Sequence, residues 1–436
     1  MSLKLSFIIP VYNSQKYLKE CLNSICKQIK KNAEVIIIDD CSKDKSYQIS
    51  KNFCSKYNFV KIIRLRKNKG VSYSRNIGIK NALGDYLCFI DSDDKLQDGG
   101  VSLIIKNLIK FNNKDIFILK SLILNNKKKK LAMKDHYQTF ELKKKSELIS
   151  CTNNLSKFRP TCWNFIVKKN FIKKNNIKFK EILTAEDWVF VSELLCLCKK
   201  FYLINKPIYV HRAYEFDTLG RVKGFLRAYS VIKVIIELIS FVKRNNKLLN
   251  RDKKLFLYRI INMSIKEFFL NIILCNNYEI SKISKKIASR NNVFNYLKNF
   301  NLKNFDFLLK NKSDLKKYLM DLNIKKRNLI INYVKKLKNK NIILFCAGRY
   351  GRSVLEQMNK INIKIHAIID NNNSFQNLKI ENLKVKSPNY LKKNLKKFKL
   401  FNIFICNQNN QDYKGIKRQL IKIGFSKINI LQFNIL

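Results

Sequence analysis

The sequence predicts an α/β protein: a parallel-type sheet with flanking helices at the N-terminus, a basic helical region, and a second, smaller α/β domain at the C-terminus. Three observations carry this. Short apolar runs of strand length alternate with amphipathic segments from residue 5 to 91, the segment 221–337 has a helical pattern with almost no Gly or Pro, and alternation restarts at "NIILFCAGRYG".

In order, "LSFIIPV" reads as a first strand, and Ser14 is placed to cap a helix running from about Gln15 to Ile29. "EVIIID" is a second strand, followed by a helix capped at Ser42 or Asp44. "VKIIRL" is a third strand, "SYSRNIGIKNAL" a third helix ended by Gly84, and "DYLCFI" a fourth strand. Residues 101–220 are mixed and include the strand "DIFILKSLIL". The last part offers "NIILF", "IKIHAIID", "LKVKS", "FNIFICN" and "KINILQF" as strands with helices between them. The expected domains are 1–220, 221–337 and 338–436.

The charge is extreme: 88 Lys+Arg against 31 Asp+Glu, a formal +57. Nucleic acid, an acidic membrane face or an anionic substrate would each attract such a chain. Yet Lys, Asn and Ile are spread over loops and helix faces alike, as a general compositional bias would leave them. No nucleic-acid-binding module is recognisable. The 12 cysteines show no C-x-x-C pair, which reads as reduced, mostly buried thiols and no zinc site. No export segment opens the chain, and the longest apolar run, "VIKVIIELISFV", is broken by Lys233 and Glu237. The expected location is cytoplasmic, with peripheral attachment to the inner membrane face left open.

The informative chemistry is at strand ends. "CFIDSDDKL" sets Asp91, Asp93 and Asp94 within four residues. Such a cluster is an ordinary loop signature, but like charges this close raise one another's pKa unless a cation lies between them. Asp91 and Asp93 stand at i and i+2, on one side of an extended segment, with hard oxygen ligands that suit Mg²⁺ or Mn²⁺. "PVYN" (Pro10 to Asn13) and "DDCSKD" (Asp39 to Asp44) also fall at carboxyl ends of expected strands, where parallel sheets bind ligands.

Taken together, "SFIIPVYNSQKYLKECLNSI", "EVIIIDDCSKDKS", "NKGVSYSRNIGIKNALGDYLCFIDSDD", "CWNFIVKK", "AEDWVF" and "YVHR" resemble the family-two glycosyltransferases, inverting enzymes of GT-A fold that use nucleotide-activated sugars. The resemblance covers about half the chain. It implies that Pro10, Tyr12, Asn13 and Asp40 hold the nucleoside, with uridine favoured, and that Asp91 and Ser92 lie on the donor. Lys69 and Arg75 would face the nucleotide or its phosphates, unless they are ordinary surface charges. Asp93 matches the metal-binding acid, with Asp91 and His211 as companions, and Arg212 would touch the diphosphate. Asp187 matches the general base and Glu186 an acceptor-side residue, although an acidic helix start would look the same. Trp163 lines the acceptor pocket or belongs to the core. The implied reaction moves a sugar to a saccharide or lipid-linked saccharide of a bacterial surface glycan.

"CAGRYG" resembles the dinucleotide fingerprint of Rossmann-like modules, with Gly348, Gly351 and, at a strand end, Asp370. Cys346 stands where the tight-turn glycine belongs, which counts against NAD and favours a degenerate or scaffolding module. A dinucleotide-dependent sugar oxidoreductase and a non-catalytic basic interaction protein remain the alternatives.

Overall fold

A computed structural model of the chain describes residues 5–125, 130–134, 160–213, 224–272, 275, 277–289 and 316–321. Near the C-terminus it describes 341–345, 355, 358–359, 362–371, 376, 379–380, 382–406, 410–427 and 430–432. It divides into two compact units. One comprises Met1–Val222, Ser230–Ser264 and Tyr296–Lys303; the other comprises Lys223–Tyr229, Ile265–Asn295 and Asn304–Leu436. The helical stretch expected over 221–337 is thus shared between them.

The first unit is built on β1 (Leu5–Val11), every residue of which is buried. It pairs in parallel with β2 (Ala33–Asp39) on one side and β4 (Tyr86–Phe89) on the other, and β3 (Val60–Arg64) adds in parallel to β2. Strands covered on both faces need apolar residues at every position, which is why these read as continuous runs rather than alternations. The intervening helices are α1 (Leu18–Cys26), α2 (Ser46–Lys56) and α3 (Val71–Asn81). α3 lies so close to the sheet that a Cβ on Gly78 would stand 2.3 Å from Ile8 Cγ2.

Beyond β4 the sheet is mixed. After β5 (Lys95–Leu96) and α4 (Gly100–Lys110) come β6 (Ile116–Asn125) and its antiparallel neighbour β7 (Lys130–Lys134). β8 (Phe165–Lys168) runs antiparallel to both β4 and β6, so two reversals bring β6 back to the direction of β4. After α5 (Lys169–Lys174) and α6 (Glu186–Leu197), β9 (Phe201–Ala213) pairs in parallel with β6. The carboxyl ends of β1, β2, β4 and β9 therefore share one edge.

The expected cap at Ser14 is corrected. α1 starts at Leu18 with no side-chain cap, because the Ser14 hydroxyl is engaged elsewhere, 2.7 Å from Ser92 Oγ and 3.2 Å from the Tyr12 carbonyl. Asp44 does serve the start of α2, accepting the Ser46 N–H at 2.9 Å and, through its other oxygen, the Gln15 N–H at 3.0 Å.

Three helices follow: α7 (Phe225–Asn245), α8 (Arg251–Ile272) and α9 (Asn277–Ala288). No helix among the described residues is long and apolar enough to cross a membrane. The second unit carries all five strands read from its sequence: β10 (Ile342–Phe345), β11 (Ile365–Ile369), β13 (Leu383–Lys386), β14 (Asn402–Ile405) and β15 (Ile430–Gln432). They pair in parallel in the order β13-β11-β10-β14-β15, with a short antiparallel β12 (Lys379–Ile380) at one edge. That is the order of doubly wound α/β sheets. Asp370 follows β11, is 7% exposed, and gives its N–H to the Lys386 carbonyl at 3.0 Å. Gly348 and Gly351 lie outside the described residues.

Candidate active site

The acidic turn after β4 is the centre of the site. The Asp94 N–H closes it on the Asp91 carbonyl at 3.0 Å, and carboxylate oxygens of Asp91, Asp93 and Asp94 all lie within 4.8 Å of one another. Burial, followed by the charges of Asp94 and Asp91, pushes the Asp93 carboxyl up to about 7. The three acids are not equivalent. Asp94 is 2% exposed and turns inward: Oδ2 accepts the Tyr209 hydroxyl at 2.6 Å and lies 3.2 Å from His211 Nδ1, while Oδ1 accepts the Arg212 N–H at 2.7 Å.

β9 thus delivers His211 and Arg212 to the turn. The Arg212 guanidinium bonds the Asp93 carbonyl at 2.9 Å and Glu20 Oε2 at 2.7 Å, and its carbon stands 4.5 Å from the centre of the Tyr17 ring. The side chain expected on the diphosphate thus has a carbonyl, a carboxylate and an aromatic face among its partners. Trp163 stacks on Tyr209 at 4.4 Å and on His211 at 5.3 Å between ring centres. At 4% exposed it is packed in the core beneath His211, the second of the two places its motif allowed.

The second cluster lies at the ends of β1 and β2, where the motif resemblance implied a nucleoside. Pro10 is buried in β1, and beyond it Tyr12 is 45% exposed, an open aromatic face at the strand end. Asn13 and Cys41 both hold left-handed backbone, φ 49° and 62°. Asn13 ties the two loops together, giving its N–H to Ser42 Oγ at 3.1 Å and accepting that of Lys43 on Oδ1 at 2.9 Å. Asp40, 3% exposed, accepts the N–H groups of Lys69 and Gly70, each at 2.7 Å. Burial still raises its pKa, those two donors opposing the shift. Lys69 Nζ stands 5.4 Å from the Tyr73 ring centre. Asp39 is fully buried; one oxygen faces the Ser42 N–H at 3.3 Å and Arg64 Nε at 3.4 Å, whereas Oδ1 has no partner.

The third cluster joins the first through Arg75. Its guanidinium, 3% exposed, bonds Asp91 Oδ1 at 2.8 Å, Glu186 Oε1 at 2.7 Å and Asp187 Oδ1 at 3.0 Å. Asp187 Oδ2 accepts the Cys162 N–H at 3.1 Å. Burial and the neighbouring Asp187 raise the pKa of Glu186, with Arg75 opposing. Ala185, just before this pair, takes a left-handed φ of 65°. That conformation is unfavourable for a residue with a Cβ, and such strain gathers at functional sites.

Residues 6–174 match the family described as glycosyl transferase family 2. The chain carries a family 2 glycosyltransferase domain. Residues 338–431 match a second family, described as C2185-like, N-terminal. Among curated relatives, the chain is 28% identical over 279 residues to a cholesterol galactosyltransferase of Borreliella burgdorferi, covering 61% of this chain and 76% of that protein. It is 26% identical over 262 residues to glycosyltransferase GlyA of Streptococcus pneumoniae, covering 59% of this chain but only 37% of that one. The crystal structure of S. aureus TarS 1–349 in complex with UDP-GlcNAc aligns at 19% identity with a TM-score of 0.45, covering 70% of this chain and 90% of that one.

The glycosyltransferase domain makes the chain a transferase. An all-oxygen acidic turn fits a hard divalent cation; burial first, and then the neighbouring acids, raise the Asp93 carboxyl. In this domain Arg75 meets three carboxylates where the motif led us to expect phosphates. Sequence reasoning passed over Asp94 and Tyr209 as structural partners and Glu20 as the acid facing Arg212. Their pairings span 115 and 192 positions, and no local pattern announces them.

Proposed function

We propose that this protein transfers a sugar, with inversion, from a uridine-diphosphate sugar to a saccharide or lipid-linked saccharide in the synthesis of a bacterial surface glycan. The observation that carries the reading is the bridge of Arg75 between Asp91, on the acidic turn, and the pair Glu186 and Asp187 at the start of α6. It supports reading a cation-and-donor side next to an acid–base side, the arrangement that displacement of a nucleoside diphosphate by a hydroxyl requires.

Tyr12 offers a face for the base, and Asp40 is the proposed acceptor for a ring N–H; a uracil presents one such donor. Asp91 and Asp93 would hold Mg²⁺ or Mn²⁺, which neutralises the departing diphosphate when bound. Asp187 is the proposed general base. Arg75 and the Cys162 N–H fix its two oxygens, and Glu186 beside it orients the acceptor. Exposed Lys243, Arg244, Lys247 and Arg251, beside exposed Leu248 and Leu255, support attachment to an acidic leaflet.

The test is product analysis with a panel of UDP-sugars and saccharide acceptors in the presence of Mn²⁺. Release of UDP coupled to a product of inverted anomeric configuration supports the proposal. Product of retained configuration, or turnover only with another nucleotide, refutes it. Vesicle pelleting addresses the membrane: binding indifferent to both anionic lipid and salt removes the electrostatic argument.

A further inference from the structure

We infer that Asp94 is a positioning residue of the cation site rather than a ligand: it fixes the His211 imidazole so that Nε2 is the nitrogen offered to the ion. This rests on reading the acidic turn as a cation site, as proposed above.

The argument begins with valence. A carboxylate offers acceptors only, and Asp94 receives three donors on its two oxygens: the Tyr209 hydroxyl, the Arg212 N–H and, at 3.2 Å, His211 Nδ1. With 2% of its surface exposed, it has little left to give an ion. A contact between Nδ1 and a carboxylate places the proton on Nδ1, and in the neutral ring this leaves the lone pair on Nε2. Metal-binding histidines are commonly held in this way, the remote N–H on a carboxylate that sets the tautomer.

Packing fixes what the hydrogen bond leaves free. The His211 ring lies nearly parallel to Trp163, at 14°, and Trp163 is nearly parallel to Tyr209, at 11°. Tyr209 in turn bonds Asp94, closing a loop of three rings and one carboxylate. The side chain of His211 is also 34% exposed, unlike that of Asp94 at 1%. The geometry divides the turn into Asp91 and Asp93, with His211, facing the ion, and Asp94 behind them.

The test is electron spin-echo spectroscopy of Mn²⁺ bound to the full-length chain, with UDP present, together with the Mn²⁺ dissociation constant. The wild type is expected to show a directly coordinated ¹⁴N, and His211→Ala to lose it; as a change of a partly exposed side chain, that variant is expected to fold. Asp94→Asn is expected to weaken Mn²⁺ by about ten- to a hundredfold, as loss of an outer-shell partner does, and to diminish the nitrogen signal. Binding of UDP without metal should be unchanged. Mn²⁺ bound without a nitrogen ligand overturns the inference and leaves the cation site standing. Asp94→Asn with an intact nitrogen signal and affinity within about twofold of wild type also overturns it, that margin lying well below the usual outer-shell effect. If the wild type binds no Mn²⁺, the cation reading itself fails and the inference falls with it.

Discussion

Arg75 donates a hydrogen bond to Asp187 at 3.0 Å, across 112 positions of sequence. Two further bonds from the same guanidinium reach Glu186 and Asp91, so a single buried cation holds the acidic turn and the start of α6 in register. A planar, always-charged fork suits that role; a lysine, with one point charge, does not.

Removing this cation leaves three carboxylates facing one another. Arg75→Met is expected to lower stability by about 3–5 kcal/mol, the usual cost of breaking a buried ion pair by deleting one partner. Urea unfolding of the variant against wild type measures it. A loss below about 1 kcal/mol, the range of exposed ion pairs, would mean that water, not Arg75, balances the acids.

Asp187→Asn keeps an oxygen for the Cys162 N–H but can no longer take a proton. The expected result is a fall in kcat of about 10²–10⁴, the range for loss of a general base, with Kd for UDP unchanged. Steady-state kinetics beside UDP titration separates the two. The same fall in Glu186→Gln, with Asp187→Asn active, would move the base to Glu186.

Asp93 has its carboxyl pushed up to about 7 by burial and by the adjacent acids. Since an ion binds the carboxylate and not the acid, Mn²⁺ affinity should fall about tenfold per pH unit below pH 7 and level off above it. Titrations from acid to mildly alkaline pH check the slope. An affinity independent of pH in that range would place the ion elsewhere.

Glu193 on α6 provides a stability counterpart away from the acidic turn. Burial raises its pKa from 4.5 to about 6, against the opposing charge of Lys180 at 3.6 Å. A raised carboxyl favours the folded state while protonated, so that stabilisation is complete below pH 4.5 and is lost as pH rises through about 6. Glu193→Gln should therefore gain on wild type across this interval by about 2 kcal/mol, at 1.36 kcal/mol per pKa unit. Parallel pH–stability curves for the two proteins would contradict the assignment.

The strands were legible because burial on both faces makes them short apolar runs, and the sequence carries turn chemistry between them. β1 to β4 and the five parallel strands of the second unit all fall on segments expected from pattern. Helix starts were less legible. Ser14 has the residue type of a cap, but its hydroxyl bridges to Ser92 from the next strand but two, a competition that only the assembled sheet creates. The site divides in the same way. Asp91, Asp93 and the "AED" pair stand out locally, while the partners that aim them come from far away in the chain: Arg75 for Glu186, and Tyr209 for Asp94. Trp163 shows the opposite limit, since a tryptophan in a functional motif reads the same whether it faces a ligand or, as here, the core.

The most direct test of the donor site is thermal unfolding of the full chain with UDP, with and without Mn²⁺, in wild type and Asp93→Asn. At 100 times its dissociation constant a ligand adds about 2.7 kcal/mol, which moves the midpoint of a domain this size by roughly 5–10 °C. The account predicts such a shift with UDP and Mn²⁺ together, absent in Asp93→Asn. A shift of equal size without the metal, or one that survives Asp93→Asn, would contradict it.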